Sequence, residues 1–381
     1  MQWGELLRRP EAAGLARRQD HGRDVVGRLH GSIYCDFVMA DRDAYDALPK
    51  VELHCHVEGA VRPSTVVELA AKNGVTLPTQ DPTELYRYHS LDSFLDVFWM
   101  VQSLLADADD WERAAYESLI DAVPHGLRYH EMFFTPARHL EAGQRLGDIV
   151  AGLTRGMERA EAETGVRAAL ICDVDRAFGA PAALELVEMA VDLRRDGLAE
   201  RLIGIGMDST ERGVDLRAFA DAFVLAGRAG FRRTAHAGED AGPQNIALAL
   251  GALRAERIDH GLAVLDDPEL AARVAAWRVP LTVCPNSNVV IANKYGSLAE
   301  HPFRRMRQAG LLATLNTDDP AMTDLDLGRE YRSVAEALEM PWDEMVSVAL
   351  DSVEASWLDE GEKRALRASF EQEIAAISAP G

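Results

Sequence analysis

Cysteine is scarce in this chain. Cys35, Cys55, Cys172 and Cys284 lie far apart and form no CxxC pair, which excludes a disulfide scaffold and a cysteine-based zinc finger. Positive charge is also in deficit. Forty Lys and Arg face 62 Asp and Glu, a net charge of −22. Such a surface repels phosphate backbones and anionic headgroups, so neither nucleic acid nor membrane is an expected partner. There is no apolar stretch of membrane-spanning length and no secretory signal, and the expected location is cytoplasmic. Lysine is the rarest charged residue: only Lys50, Lys72, Lys294 and Lys363 occur, against thirty-six arginines.

The chain has 381 residues, 48% of them hydrophobic, enough for a large core. Residues 1–40 differ from the rest. The first 38 carry six Arg and five acidic residues, too many acids for a transit peptide, and are expected to form a weakly ordered tail or an extra helix. Residues 41–381 are expected to form one domain.

From residue 50 onward, short apolar runs alternate with helical patterns. The runs are 51–57, 127–136, 166–174, 202–208, 231–239, 256–261, 280–288 and 311–320. Several are nearly continuous in Val, Ile, Leu and Ala, as in parallel strands covered on both faces. The segments between them, such as 180–197, 215–230 and 267–277, have apolar residues at helical spacing. Eightfold strand–helix alternation predicts a (β/α)8 TIM barrel, an α/β fold. The first connection, 62–124, is long enough for about three helices and predicts a helical lid. Two further helices, 342–356 and 360–378, are expected after the last strand. None of the eight runs contains a lysine, so a carboxylated strand lysine bridging two metals is not available, and a single metal is favoured.

In a barrel the chemistry lies at the C-terminal strand ends, and those ends are polar here. His54 and His56 share one side of the first run while Cys55 faces the other. His236 and Asp318 fall at the ends of the fifth and eighth runs. Three imidazoles and a carboxylate suit zinc with an open position for water; iron or cobalt fits the same groups. Asp319 and His260 are placed to orient and deprotonate that water. Glu239, three residues past His236, is a candidate acid, and the intervening Ala237–Gly238 would bring backbone close to a ligand. Ser209 and Glu58 lie at the same end and are candidates to contact a substrate. Together the set suits hydrolytic attack on an sp² carbon.

The motifs "LPKVELHCHVEGA", "AHAGED", "RIDHG", "VCPNSN" and "LNTDDP", in this order, resemble the adenosine/adenine deaminase family of metal-dependent hydrolases over roughly residues 47–375. The resemblance implies a zinc-dependent 6-aminopurine deaminase in purine metabolism. It assigns His54, His56, His236 and Asp318 as metal ligands and Glu239 as the donor to purine N1. It further assigns His260 and Asp319 to the attacking water, with Asp319 also touching substrate. Substrate contacts are expected from His56, Glu58, Ser209, Gly238 and Asp319. The bound molecule would be a purine base, a nucleoside or a close analogue. The length of Glu58 favours a bare base, whereas Asn286, expected near the pocket, favours an added polar group. A barrel amidohydrolase acting on a cyclic amide and a non-catalytic purine binder are the alternatives.

Overall fold

The computed structural model describes residues 43–377 apart from 80, 89, 90 and 293, so the expectation for residues 1–40 lies outside the described residues. Eight strands form one parallel sheet in sequence order. They are β1 (Lys50–His56), β2 (Leu127–Phe134), β3 (Arg167–Asp175), β4 (Leu202–Asp208), β5 (Arg232–Ala237), β6 (Arg257–His260), β7 (Pro280–Val283) and β8 (Leu312–Leu315). The sheet curls into a nearly closed barrel. Its seam is sealed at the C-terminal end: the His56 N–H donates to the Asp318 carbonyl (2.8 Å) and the Asp318 N–H to the His54 carbonyl (3.0 Å). Lower down, Asn316 Oδ1 accepts from the Leu53 N–H at 2.8 Å, so a side chain replaces a strand partner.

The expected helices form with recognisable signals. Asp267 caps the helix Pro268–Ala276, accepting from the Glu269 and Leu270 N–H groups, and Pro268 opens its first turn. Asp359 and Glu362 make a reciprocal capping box on Glu360–Ala375. Between β1 and β2 the described residues form four α-helices where about three were expected: Pro63–Asn73, Pro82–Leu85, Leu91–Leu104 and Ala108–Ala122.

Strand ends depart from the expected runs by up to five residues, and two of these departures matter here. The run 280–288 is strand only to Val283; Pro285–Val290 is a short helix, because Pro285 supplies a first-turn residue and the Asn288 N–H closes a turn on the Cys284 carbonyl. β1 begins one residue early, so it does contain a lysine. The ammonium of Lys50 is buried at the opposite end of the barrel, donating to the carbonyls of Tyr45, Leu48 and His125.

The N-terminal end of the barrel is plugged. Val51, Leu53, Tyr129, Ala169 and Leu312 pack with Phe370 from the last helix. Above them the buried Arg257 donates to Glu131 and lies over the Trp357 ring, 3.9 Å from its centroid. The polar end of the barrel is therefore left as the open one.

Candidate active site

Strict alternation along β1 would put Leu53 and His54 on opposite faces. In the structure Leu53 joins the plug while His54 and His56 both meet His236. The register with β2 explains this. Glu52 pairs with His130 and Cys55 with Met132, so Leu53 and His54 together stand opposite Glu131 alone. That two-against-one step is a β-bulge, which re-aims the following side chains. It turns the phase of the strand so that its lower half feeds the core and its upper half feeds the site.

At the mouth, His54 Nε2 and His56 Nε2 lie 3.1 and 3.3 Å from His236 Nε2. Asp318 Oδ1 lies 3.3 Å from His54 Nε2 and 3.5 Å from His56 Nε2. Four ligands about 2.0–2.1 Å from a tetrahedral zinc stand about 3.3 Å from one another. The donor directions agree. His236 Nδ1 faces the Met207 carbonyl at 3.0 Å, and His54 Nδ1 faces Thr282 Oγ1 and carbonyl at 3.1 and 3.3 Å. A carbonyl only accepts, so in the neutral rings the protons sit on Nδ1 and the Nε2 lone pairs point at each other. Such an arrangement calls for a cation between them. Electrostatics says the same. Burial pushes Asp318 up, but the surrounding His54, His260 and His56 outweigh it and hold the carboxyl well below its usual range. His260 Nε2 is also close, 4.0 Å from Asp318 Oδ2, and His260 has a donor atom within 4.8 Å of those of His54, His236 and Asp318.

Three of these four groups are braced; the exception is His56, whose Nδ1 is buried without a hydrogen-bond partner. Ser287 donates to Asp318 Oδ2 at 2.6 Å. Asp259 accepts from the Thr282 and Thr234 hydroxyls at 2.8 and 2.7 Å and lies 3.7 Å from His236 Nδ1. Such outer partners fix ring orientation at metal sites. His260 and Asp318 both adopt left-handed backbone, with φ of 61° and 66°. Non-glycine residues held there are characteristic of functional sites.

Around the four stand the proposed proton-handling groups. Glu239 Oε2 is 3.6 Å from His260 Nε2, and burial raises this carboxyl to about 8. Burial also raises Asp319 well above its usual value, with Asp318 adding to the effect. Asp319 Oδ1 is buried without a partner. Gly59 makes room for it: a Cβ there would come within 1.8 Å of that oxygen. Gly238 is where it was expected but is otherwise engaged. Its N–H donates to Glu211 Oε2 (2.8 Å), its carbonyl accepts from Ala263, and a Cβ would meet Ile246 at 2.6 Å. Glu211 also accepts from the Glu239 and Asp240 N–H groups, so it anchors the turn that carries the acid. Ser209 follows β4 on the exposed side, with φ of 74°.

Glu58 is fully buried. Its Oε1 accepts from the Thr135 N–H at 2.9 Å, and its Oε2 has no partner. Burial raises it to about 7, with Thr135, Glu58's own N–H and Gln102 from the helix Leu91–Leu104 acting in the opposite direction. Asp208 and Asp173 gather near His56; Asp173 Oδ2 is 3.8 Å from His56 Nδ1. Sequence reasoning missed Asp173, and only its strand-end position in the third run could have flagged it. Asn286 departs from expectation. Its amide donates to Glu330 (2.6 Å) and Ser333 (2.9 Å), on the helix Leu327–Ala337. It braces that helix, so the argument from Asn286 for a larger polar substrate does not hold.

A parallel eight-stranded barrel with three imidazoles and a carboxylate at its C-terminal mouth is a hydrolase fold of the amidohydrolase type. The sequence model of the adenosine deaminase family matches residues 49–373, and this chain belongs to that family. It is 38% identical to an adenine deaminase of Streptomyces coelicolor over 341 residues, covering 89% of this chain and 98% of that protein. Among solved structures, an adenine deaminase from Arthrobacter aurescens superposes with a TM-score of 0.81 at 33% identity, covering 86% of this chain and 99% of the other. An amidohydrolase from Burkholderia ambifaria, solved with bound zinc, gives 0.81 at 31% identity, covering 88% and 92%. The chain is thus a hydrolase of the adenosine/adenine deaminase type. No helix among the described residues is long and apolar enough to cross a membrane.

Proposed function

We propose that this chain is a zinc-dependent deaminase of the free base adenine. The reaction adds water at C6 and releases ammonia, leaving hypoxanthine. His54, His56, His236 and Asp318 would hold the zinc ion, which supplies Lewis acidity and lowers the pKa of water toward neutrality. Glu239, kept protonated by burial, donates to ring N1 and draws electrons from C6. Asp319 takes a proton from the attacking water, and His260 orients it. Asp319 passes the proton it took to the amino nitrogen, the C6–amino bond breaks and ammonia leaves; the remaining C6 hydroxyl proton restores Glu239, and the N1 proton stays on the 6-oxopurine.

The observation that carries the base over a nucleoside or nucleotide is the carboxyl cluster beside His56. Glu58 Oε2, Asp208 Oδ1 and both Asp173 oxygens are buried without a partner. Free adenine has a ring N–H that a nucleoside lacks, and it matches such acceptors. These carboxyls would repel a phosphate; of the nearby Arg176, Nε and Nη2 are turned to the backbone carbonyls of Asp208, Met207 and His236, and only Nη1 is left, buried without a partner. The names of the relatives point the same way. The helices between β1 and β2, which bring Gln102 toward Glu58, would serve as the lid.

Ammonia release from zinc-loaded protein, measured across adenine, adenosine, deoxyadenosine, N6-substituted purines and cyclic amides, tests the reading. Adenine is expected to lead in kcat/KM, and Glu58→Asp to lower that value by about 10–100-fold, the scale of one lost hydrogen bond to a charged group. A preference for adenosine would sink the argument from Glu58. Ammonia from none of the purines would sink the deaminase reading itself.

A further inference from the structure

One side-chain chain at the site is directional, and a single backbone group sets its direction. The Phe303 N–H donates to His301 Nδ1 at 3.2 Å. An amide N–H is only a donor, so this ring nitrogen accepts, and the proton of the neutral His301 sits on Nε2. That nitrogen lies 3.3 Å from Asn288 Oδ1. The contact fixes which way the Asn288 amide faces, with Oδ1 toward His301 and Nδ2 toward the site. Asn288 Nδ2 then lies 3.1 Å from His260 Nδ1 and 3.2 Å from Glu239 Oε1. An NH2 group has two hydrogens, one for each. His260 Nδ1 therefore accepts, and its proton is on Nε2, the nitrogen facing Glu239 and Asp318. All three side chains are buried, so water does not compete with the chain: Asn288 and His260 are 0% and 1% exposed, His301 3%.

We propose that Asn288 and His301 are positioning residues for the reaction. The hydrogen-bond chain Phe303–His301–Asn288–His260 holds His260 as its Nε2–H tautomer, so this imidazole meets the reacting oxygen as a hydrogen-bond donor and not as a base. The second hydrogen of Asn288 ties Glu239 to the same amide, so the acid and the donor are set at a fixed separation by one side chain. Removal of the proton from the attacking water then falls to Asp319, whose Oδ1 is buried without a partner. The helix that begins at Pro285 is what makes this possible. A strand continuing through residues 285–288 would put Ser287 and Asn288 on opposite faces; the helical turn lets Ser287 hold Asp318 while Asn288 holds His260 and Glu239.

The role given to His260 rests on the deaminase reading, but the tautomer is measured without turnover. In zinc-loaded protein labelled with ¹⁵N-histidine, long-range ¹H–¹⁵N spectra report which nitrogen bears the proton, and loss of signals in His260→Gln assigns the ring. The expected result is Nε2–H. Asn288→Asp offers only acceptors, so it should draw the proton to Nδ1. It should lower kcat by about 100-fold with KM changed only a few-fold and zinc content unchanged, the lower end of what proton-handling groups contribute. His301→Gln keeps an acceptor for Phe303 and a donor for Asn288, and should retain kcat within a few-fold and the Nε2–H tautomer. His301→Phe should lose both. A His260 that carries its proton on Nδ1 in the unmodified protein overturns the proposal whatever the substrate proves to be. So does an Asn288→Asp variant that folds, keeps zinc and keeps its kcat. If the tautomer is Nε2–H but no purine is deaminated, the chain stands and the deaminase reading fails.

Discussion

Replacing Glu239 with Gln isolates proton donation from everything else this residue does. The two side chains have the same shape. Gln can still accept from Asn288 Nδ2, which lies 3.2 Å from Glu239 Oε1, and can still offer an N–H to a ring nitrogen. Glu239 is not among the four groups whose donor atoms converge, so metal content and fold should be unaffected. What is lost is the transferable proton. Burial holds the carboxyl at about 8, so at pH 7 the acid is mostly in the form that can give its proton away. General acid catalysis contributes about 10²–10⁴-fold in rate, equivalent to about 2.7–5.4 kcal/mol of barrier. The expected result in an ammonia-release assay is a fall in kcat of that size. KM should change only a few-fold, and zinc measured by elemental analysis should be equal in the two proteins. A variant with full zinc that keeps more than about a tenth of the parent kcat would refute the assignment of the acid.

Two further outcomes follow from the same geometry. Zinc at 100 times its dissociation constant should stabilise the metal-free protein by about 2.7 kcal/mol, seen as a rise in melting temperature; His236→Ala, which removes the imidazole nearest the other two, should abolish that rise, and an unchanged response would exclude His236 as a ligand. Glu330 is buried and raised to about 8 from 4.5, chiefly by desolvation. A raised carboxyl pKa means the folded state binds the proton more tightly, so its contribution is intact below about 4.5 and is lost as pH rises toward 8, by about 1.4 kcal/mol per unit at most. Glu330→Gln should therefore flatten the decline in melting temperature across that window, and an identical decline in both proteins would show that Glu330 does not titrate there.

Much of the fold was legible because parallel strands covered on both faces write themselves as short apolar runs. The eight expected runs correspond to the eight strands, with ends shifted by no more than five residues. The gathering of His54, His56, His236 and Asp318 was legible for a related reason: in a barrel, strand ends that are distant in sequence share one rim. Other features were not. Nothing in "VELHCHVEGA" marks the bulge at Leu53–His54, since a bulge is defined by two residues facing one on another strand, here Glu131. "CPNSN" reads as the end of a strand, yet Pro285 begins a helix and so sends Asn286 away from the mouth. The role of Asp259 was not legible either, because its hydroxyl partners, Thr234 and Thr282, lie on the two strands beside its own.

The sequence by itself determined the alternating strand–helix order, the polar strand ends and the donor types that suit a metal. Each of these is a property of residue identity and local period. Tertiary structure alone decided which way those donors point. The Nδ1 protons of His54 and His236 are set by carbonyls on other strands, the direction of the Asn288 amide by a backbone N–H fifteen residues further on, and the unpartnered oxygens of Glu58 and Asp173 by burial. A hydrogen bond has a donor and an acceptor that must meet within about 3 Å, and only the folded chain brings them that close.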